Sequence, residues 1–220
     1  MLYIFNINTI FFTFLGYQMS YLEFLGTLFN LWCVWLTAKN KVLSWPVGIV
    51  GVILYIFLFY QIQLYSDFVE QIYFLITSFW GWYLWTHPHT EQKDSDNKLK
   101  VGSTDNRTVF YWLVVIVIGT LALGYLMDHV HLYLPQFFPE KASYAYLDSF
   151  TTVMSFVATI LMAKKKIECW YLWILVDIIG VFLYFFKGVK FISLEYLIFL
   201  ILAIQGLTSW RKELLSYKSR

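Results

Sequence analysis

"YLEFLGTLFNLWCVWLTAKNKVLSW" (21–45) is written a second time, altered but in register, as "YLDSFTTVMSFVATILMAKKKIECW" (146–170). The correspondence continues without a gap, at a constant offset of 125 residues, to "FVEQIYFLITSFWGWYLW" (68–85) against "SLEYLIFLILAIQGLTSW" (193–210). From Tyr21 to Trp85 about 18 of the 65 positions are identical, among them Trp45/Trp170, Glu70/Glu195, Gly81/Gly206 and Trp85/Trp210. Apolar segments share Leu, Ile and Phe by chance. They do not share tryptophans, glutamates and lysine clusters at one unbroken offset, so the chain is read as an internal duplication.

Composition says what is duplicated. With 60% apolar and 22% aromatic residues and only 14% charged, the 220-residue chain is excluded from the soluble globular class. A transmembrane helix needs about 20 mostly apolar residues to cross roughly 30 Å of hydrocarbon. Windows 21–38, 43–60, 67–86, 108–126, 144–163, 168–186 and 191–210 each meet that length, which predicts an all-α membrane protein of seven spans. The opening "MLYIFNINTIFFTFLG" is apolar but short, carries Asn6, Asn8, Thr9 and Thr13, and lacks a basic leader region. It reads as an interfacial helix.

Distribution of charge gives the orientation. Alternating sides along the seven spans, Lys39, Lys41, Lys93, Lys98, Lys100, Arg107, Lys164, Lys165, Lys166, Arg211, Lys212, Lys218 and Arg220 fall on one side, and only Lys141, Lys187 and Lys190 on the other. The basic side is cytoplasmic by the positive-inside rule, which places the C-terminus inside. Each repeat has three spans, and the additional span 108–126 restores the starting direction, so both repeats face the same way. The predicted architecture is 3+1+3 parallel repeats. It divides into an N-terminal interfacial segment (1–20), a first repeat (21–86), a cytoplasmic linker (87–107), a linking helix (108–126), a periplasmic loop (127–143), a second repeat (144–210) and a cytoplasmic tail (211–220). Parallel repeats of this kind bind substrate near mid-membrane at the repeat interface.

The remaining motifs point away from other chemistries. Cys33 and Cys169 show neither pairing nor metal spacing. His87 and His89 in the linker, and His129 and His131 in the opposite loop, have no third ligand type beside them and read as solvated or interfacial. No P-loop, no H-E-x-x-H and no G-x-S-x-G occurs, so neither a built-in ATPase nor an intramembrane hydrolase is indicated, and no cofactor is implied. No basic patch interleaved with aromatics suggests nucleic acid.

Carboxylates inside spans are costly, about 2.5–3.5 kcal/mol for Asp at a helix centre on insertion scales, and mark functional positions by default. The spans contain Glu23, Asp67, Glu70, Asp148, Asp177 and Glu195, with no Lys or Arg away from their ends. Glu23 and Asp148 sit at equivalent helix starts, where water and the helix dipole favour them. Asp177 lies eleven residues beyond Lys166, roughly 16 Å at 1.5 Å per residue, close to mid-membrane. Trp170, Trp173 and Asp177 are spaced i, i+3, i+7 and share one helix face. Glu70, Gln71 and Phe74, with Tyr73 adjacent and Asp67 one turn earlier, offer a second polar stripe. Thr27, Asn30 and Thr37, answered by Thr152, Ser155 and Thr159, read mainly as helix-packing positions. Tryptophan faces and carboxylates without a basic partner suit a flat organic cation. Ribose-like hydroxyls would use the Gln, Asn, Thr and Tyr groups.

"WYLWILVD" (170–177) has the pattern W-x-x-W-x-x-x-D, and "YSDFVEQIYF…FWGWYLW" resembles the third-span signature of the PnuC family of bacterial vitamin transporters. The resemblance runs from about residue 20 to 212 and includes "SWPVGIVG" (44–51), "YLDSFTT" (146–152) and "YFFKG" (184–188). It implies a seven-span, SWEET-like fold, a homotrimer, and import of nicotinamide riboside down its gradient across the inner membrane, with phosphorylation inside trapping it. Carried over by position, it implies substrate-site roles for Trp170, Trp173 and Asp177, and for Asp67, Gln71, Gly81 and Trp82 of the third span. Relatives on the same frame carry thiamine or riboflavin, and thiamine, also a flat cation, is not separated from nicotinamide riboside by the physical argument. A SWEET-type sugar uniporter is the other alternative.

Overall fold

The computed structural model describes residues 5–14, 16–62, 65–94, 98–136, 141–142, 144–186 and 190–218. Seven helices account for most of them: α1 (Tyr21–Ala38), α2 (Ser44–Gln61), α3 (Tyr65–Thr86), α4 (Asn106–Tyr133), α5 (Ala145–Ala163), α6 (Glu168–Phe186) and α7 (Lys190–Lys218). Each predicted window coincides with one helix. Five of them, α2, α4, α5, α6 and α7, are long and apolar enough to cross a membrane. The other two, α1 and α3, carry Glu23 and Asn30, and Asp67, Glu70 and Gln71.

Two expectations change. The segment before α1 is not an interfacial helix but a hairpin, β1 (Ile10–Phe14) paired antiparallel with β2 (Tyr17–Ser20), Phe12 opposite Met19 and Phe14 opposite Tyr17. Aromatic and β-branched residues in "IFFTF" favour extended backbone, and Gly16, at φ +83°, takes the left-handed conformation that the turn needs. Phe11 packs its ring on Tyr21 and Phe24 of α1. Ser20 then caps α1, its Oγ accepting from Glu23 N at 3.1 Å, while the Tyr17 hydroxyl donates to the Glu23 carboxylate. The linking helix also outruns its predicted end at 126 and continues to Tyr133, shortening the loop predicted at 127–143. Nothing in "MDHVHLY" breaks a helix. It stops just short of Pro135, whose ring disfavours helical backbone in the residue before it. Pro139, Lys187, Gly188 and Arg220 lie outside the described residues.

Positions 125 apart adopt the same backbone. At the α1–α2 turn Asn40 is left-handed (φ 56°), and at the α5–α6 turn so is Lys165 (φ 55°). Lys41 N donates to Leu36 O (3.0 Å) and Asn40 N to Thr37 O (2.9 Å). In the second turn Lys166 N donates to Leu161 O (2.8 Å) and Lys165 N to Met162 O (2.9 Å). Both are Schellman terminations, which satisfy carbonyls that a helix end otherwise leaves open.

Packing follows the same scheme. Neighbours α1 and α2, α2 and α3, α5 and α6, and α6 and α7 lie together, and in addition α1 packs on α7 and α3 on α5. Four tryptophans hold these crossings. Trp45 meets Trp85 edge-on (5.4 Å, 85°), Trp170 meets Trp210 edge-on (5.4 Å, 86°), and Trp85 and Trp210 touch at 5.9 Å. Trp85 Nε1 donates to Met162 O at 3.3 Å and to Ala163 O at 3.2 Å, while Trp210 Nε1 donates to Thr37 O at 3.0 Å. Met162 and Thr37 are themselves 125 apart, so the last helix of each triplet bonds the first helix of the other. Room for the rings comes from glycine: a Cβ at Gly81 would run into Trp45, and one at Gly206 into Trp170.

The polar linker is more than a solvated loop. Leu99 and Val101 are buried, and Gly102 N donates to Lys165 O while Ile167 N donates to Gly102 O, both at 3.0 Å. Thr104 holds Glu168 at the start of α6 through its N–H (2.8 Å) and its hydroxyl (2.9 Å). Lys165, buried in the seam, donates to Leu99 O and lies 4.7 Å over the Trp85 ring. Helix α4 packs on α5 and turns Phe110, Leu113, Val117, Ile118 and Leu121 outward, as a lipid-facing helix does.

Candidate substrate site

The buried face of α6 runs through Trp170, Val176, Asp177 and Gly180, as the i, i+3, i+7 spacing predicts. Its members are not equivalent. Trp170, 1% exposed, is sealed in the tryptophan cluster against Gly206 and Trp210. Trp173, one turn farther in, is only half-buried; the Nε1 of both tryptophans is buried with no hydrogen-bond partner among the described residues. Asp177 follows it at i+4 and is 4% exposed, and no hydrogen bond or ion pair reaches its carboxylate among the described residues. A buried carboxylate normally has partners, because its desolvation is otherwise uncompensated.

On α3 the inward stripe is Asp67, Glu70, Gln71, Phe74, Thr77, Ser78, Gly81 and Trp85. Gln71 is buried, and Asp67 and Glu70 are half-buried. Phe74 is within ring contact of Phe156 on α5 at 6.2 Å. Tyr73 leaves this stripe: its ring lies 4.1 Å from that of Phe156 and its hydroxyl donates to Phe156 O at 2.9 Å, so it fastens α3 to α5. Trp82 is 38% exposed at the edge of this stripe, one turn beyond Ser78. Of the residues singled out, the structure therefore brings Trp173 and Asp177 onto one inward face of α6, and Asp67, Glu70, Gln71 and Phe74 onto one of α3. Trp170 and Tyr73 are committed to packing contacts.

The hydroxyl stripes on the first helices are also packing positions. Thr37 Oγ1 donates to Cys33 O, Ser155 Oγ to Thr151 O and Thr159 Oγ1 to Ser155 O, each within its own helix at 2.8–2.9 Å. Asn30 is pressed against Gly51.

Three tyrosines escaped the sequence reading. Tyr184 and Tyr196 stack at 5.4 Å and 17°, with Tyr196 lodged against Gly180. Tyr184 lies within electrostatic reach of Asp67, Glu70, Asp148 and Glu195, and Tyr196 of Glu70, Asp177 and Glu195. Tyr55 donates to Glu195 at 3.3 Å. A signal existed for Tyr184, which continues the α6 stripe at i+7 from Asp177. Tyr55 and Tyr196 had none among 17 tyrosines. A groove of about 350 Å³ opens elsewhere, between α5 and α6, lined by Leu147, Ile178, Ile179, Phe182, Leu183, Phe186 and Tyr144. It is almost wholly apolar and includes neither Trp173 nor Asp177.

Comparison with known proteins bears on this arrangement directly. The family model described as Nicotinamide mononucleotide transporter matches residues 20–212. The Nicotinamide riboside transporter PnuC of Escherichia coli (strain K12) is 30% identical over 212 residues, covering 89% of this chain and 87% of that protein. The Riboflavin/roseoflavin transporter RibM of Streptomyces davaonensis is 23% identical over 188 residues, covering 86% and 83%. Among solved structures, the crystal structure of the vitamin B3 transporter PnuC is similar with a TM-score of 0.69 at 23% identity, covering 89% of this chain and 83% of that one. A multi-pass helical membrane chain with carboxylates and aromatics turned inward, matched over nearly its whole length, belongs to the nicotinamide mononucleotide transporter family and is a transporter rather than an enzyme.

Proposed function

We propose that the protein imports nicotinamide riboside across the bacterial cytoplasmic membrane by facilitated diffusion, with substrate bound near mid-membrane between two parallel three-helix repeats. The observation that carries this reading is Asp177, 4% exposed and without a partner among the described residues, one helical turn from the unpaired Nε1 of Trp173. A pyridinium placed there gives the carboxylate its counter-ion and meets an indole face, a cation–π contact of about 0.5–2 kcal/mol. Glu70, Gln71 and Asp67 on α3 supply acceptors for the ribose. The name of the E. coli relative agrees with this substrate.

The 3+1+3, SWEET-like arrangement is supported by the reciprocal Trp85 and Trp210 hydrogen bonds, the paired left-handed turns at Asn40 and Lys165, and the isolation of α4 on α5. In this reading residues 21–86 and 144–210 are the repeats, 87–107 a cytoplasmic linker, 108–126 the core of the linking helix, and 211–220 a cytoplasmic tail. Transport proceeds by alternate access about the central site, and cytoplasmic phosphorylation traps the riboside by replacing one positive charge with a net negative one. A homotrimer is the assembly the family resemblance favours.

Riboflavin, which RibM is named for, is neutral and leaves Asp177 without a counter-ion. Thiamine, a flat cation, satisfies the same groups and is the second reading. Calorimetric titration of the purified full-length protein with nicotinamide riboside, thiamine, riboflavin and nicotinic acid separates them. Binding of nicotinamide riboside alone is the expected result, binding of thiamine alone would move the protein to the second reading, and binding of nicotinic acid would overturn the cation argument.

A further inference from the structure

Glu70 and Glu195 occupy equivalent positions in the duplication, yet their surroundings differ. Glu195 on α7 accepts from the Tyr55 hydroxyl at 3.3 Å, and that hydroxyl lies 2.9 Å from Thr27 Oγ1, which joins α7 to both α1 and α2. Tyr55 has little freedom to leave. Its ring fills the space over Gly26, where a Cβ would strike it, and meets Phe59 edge-on at 5.5 Å and 65°.

The second repeat has nothing of the kind for Glu70. Its counterpart of Tyr55 is Gly180, which has no side chain to offer. The space over Gly180 is filled from α7 by the ring of Tyr196, itself the counterpart of Gln71. Duplication has thus exchanged a Tyr55–Gln71 pair for a Gly180–Tyr196 pair, and with it the hydroxyl that holds one glutamate. Glu70 has no hydrogen bond or ion pair among the described residues, and faces Tyr184, Tyr196 and Asp67.

We propose that Tyr55 is a specificity-determining residue: by holding Glu195 against α1 and α2 it withdraws one of two repeat-related carboxylates, leaving Glu70 as the one of the pair that acts on the substrate beside Asp177. With Asp177 already facing the path, each further unpaired carboxylate adds negative charge that a single organic cation does not neutralise, and holding Glu195 limits that surplus. The proposal rests on the preceding reading that the substrate is a flat organic cation.

The test uses the full-length protein and two probes of nearly one shape, nicotinamide riboside and its neutral 1,4-dihydro form. Glu70→Gln should weaken binding of the cation by about tenfold or more and narrow its preference over the neutral form, since charge-assisted contacts are the strong ones. Glu195→Gln should change affinity by less than about threefold in the native background and by about as much as Glu70→Gln once Tyr55→Phe and Thr27→Val are both present, because Thr27 also reaches Glu195 and only then is the carboxylate released. A second measurement needs no ligand: the melting-temperature shifts of Tyr55→Phe and Glu195→Gln should not add in the double variant. Equal losses for Glu70→Gln and Glu195→Gln in the native background, or strictly additive melting shifts, overturn the proposal while leaving the substrate assignment standing. Failure of the native protein to bind the cation overturns the substrate reading instead, and coupled melting shifts would still uphold the Tyr55–Glu195 link.

Discussion

Asp177 and Lys165 are the two residues whose burial asks most of the protein, and their surroundings answer in different ways. Asp177 has no protein partner among the described residues, whereas Glu23, at the start of α1, accepts from the Tyr17 hydroxyl. Replacing Trp173 by Ala or Asp177 by Leu is therefore expected to weaken nicotinamide riboside binding by about tenfold or more, consistent with loss of a desolvated cation–π or ionic contact. Glu23→Gln should stay within about threefold in the same titration. Equal losses at all three would mean that overall negative charge, not a located site, attracts the cation. Lys165 is paired instead, to Leu99 O and the Trp85 ring, but burial still pushes its ammonium down to about 8 from 10.5, with Glu213 and Asp94 opposing that shift. Below about pH 8 both folded and unfolded chains carry this proton and the cost of burying the charge is fully present. Between about 8 and 10.5 the unfolded chain binds more protons, so this group makes the fold more stable as pH rises. Melting in detergent should show that upward slope in the native protein and a flatter one in Lys165→Met.

At the scale of elements, the helix triplets depend on close approach more than on hydrogen bonds between helices. Trp45 and Trp170 fit because Gly81 and Gly206 have no side chain. A methyl in either place forces a large ring to shift within a packed seam, and overpacking of that kind costs about 1–3 kcal/mol. Gly81→Ala and Gly206→Ala should lower the melting temperature by similar amounts, because the sites are equivalent. A loss at one position only would show that the repeats are packed unequally there. The seven helices were legible as mostly apolar windows, five of them long and apolar enough to cross a membrane, and the inward faces of α3 and α6 were legible because helical periodicity places i, i+3 and i+7 together. The N-terminal hairpin was not, because a short apolar run satisfies helix and strand equally until its partner strand is known. Nor was the docking of Leu99 to Thr104 onto the α5–α6 turn: a polar linker with two isolated apolar residues has no period to read, and those residues found their burial only against a distant seam.

For the whole molecule, charge asymmetry and parity give an orientation that topology reporters can check. A fluorescent protein fused after Arg220 should fold and emit from the cytoplasm, and an alkaline phosphatase inserted near Lys141 should be active outside, as the basic residue distribution requires. An active phosphatase at the C-terminus would reverse both repeats. The sequence by itself determined the class, an all-helical membrane chain, and showed the self-similarity at offset 125, because crossing a bilayer imposes length and hydropathy locally, and copying leaves register intact. It also singled out Asp177, since a mid-span carboxylate is conspicuous wherever it occurs. Only the tertiary structure decided that Trp170 is sealed in the core while Trp173 is half-buried beside it, that Tyr73 is spent on Phe156, and that Glu195 is held by Tyr55 while Glu70 has no partner among the described residues. Those distinctions lie between residues on different helices, and a side chain's partner across a helix interface is set by how the helices cross, which no local pattern in the chain records.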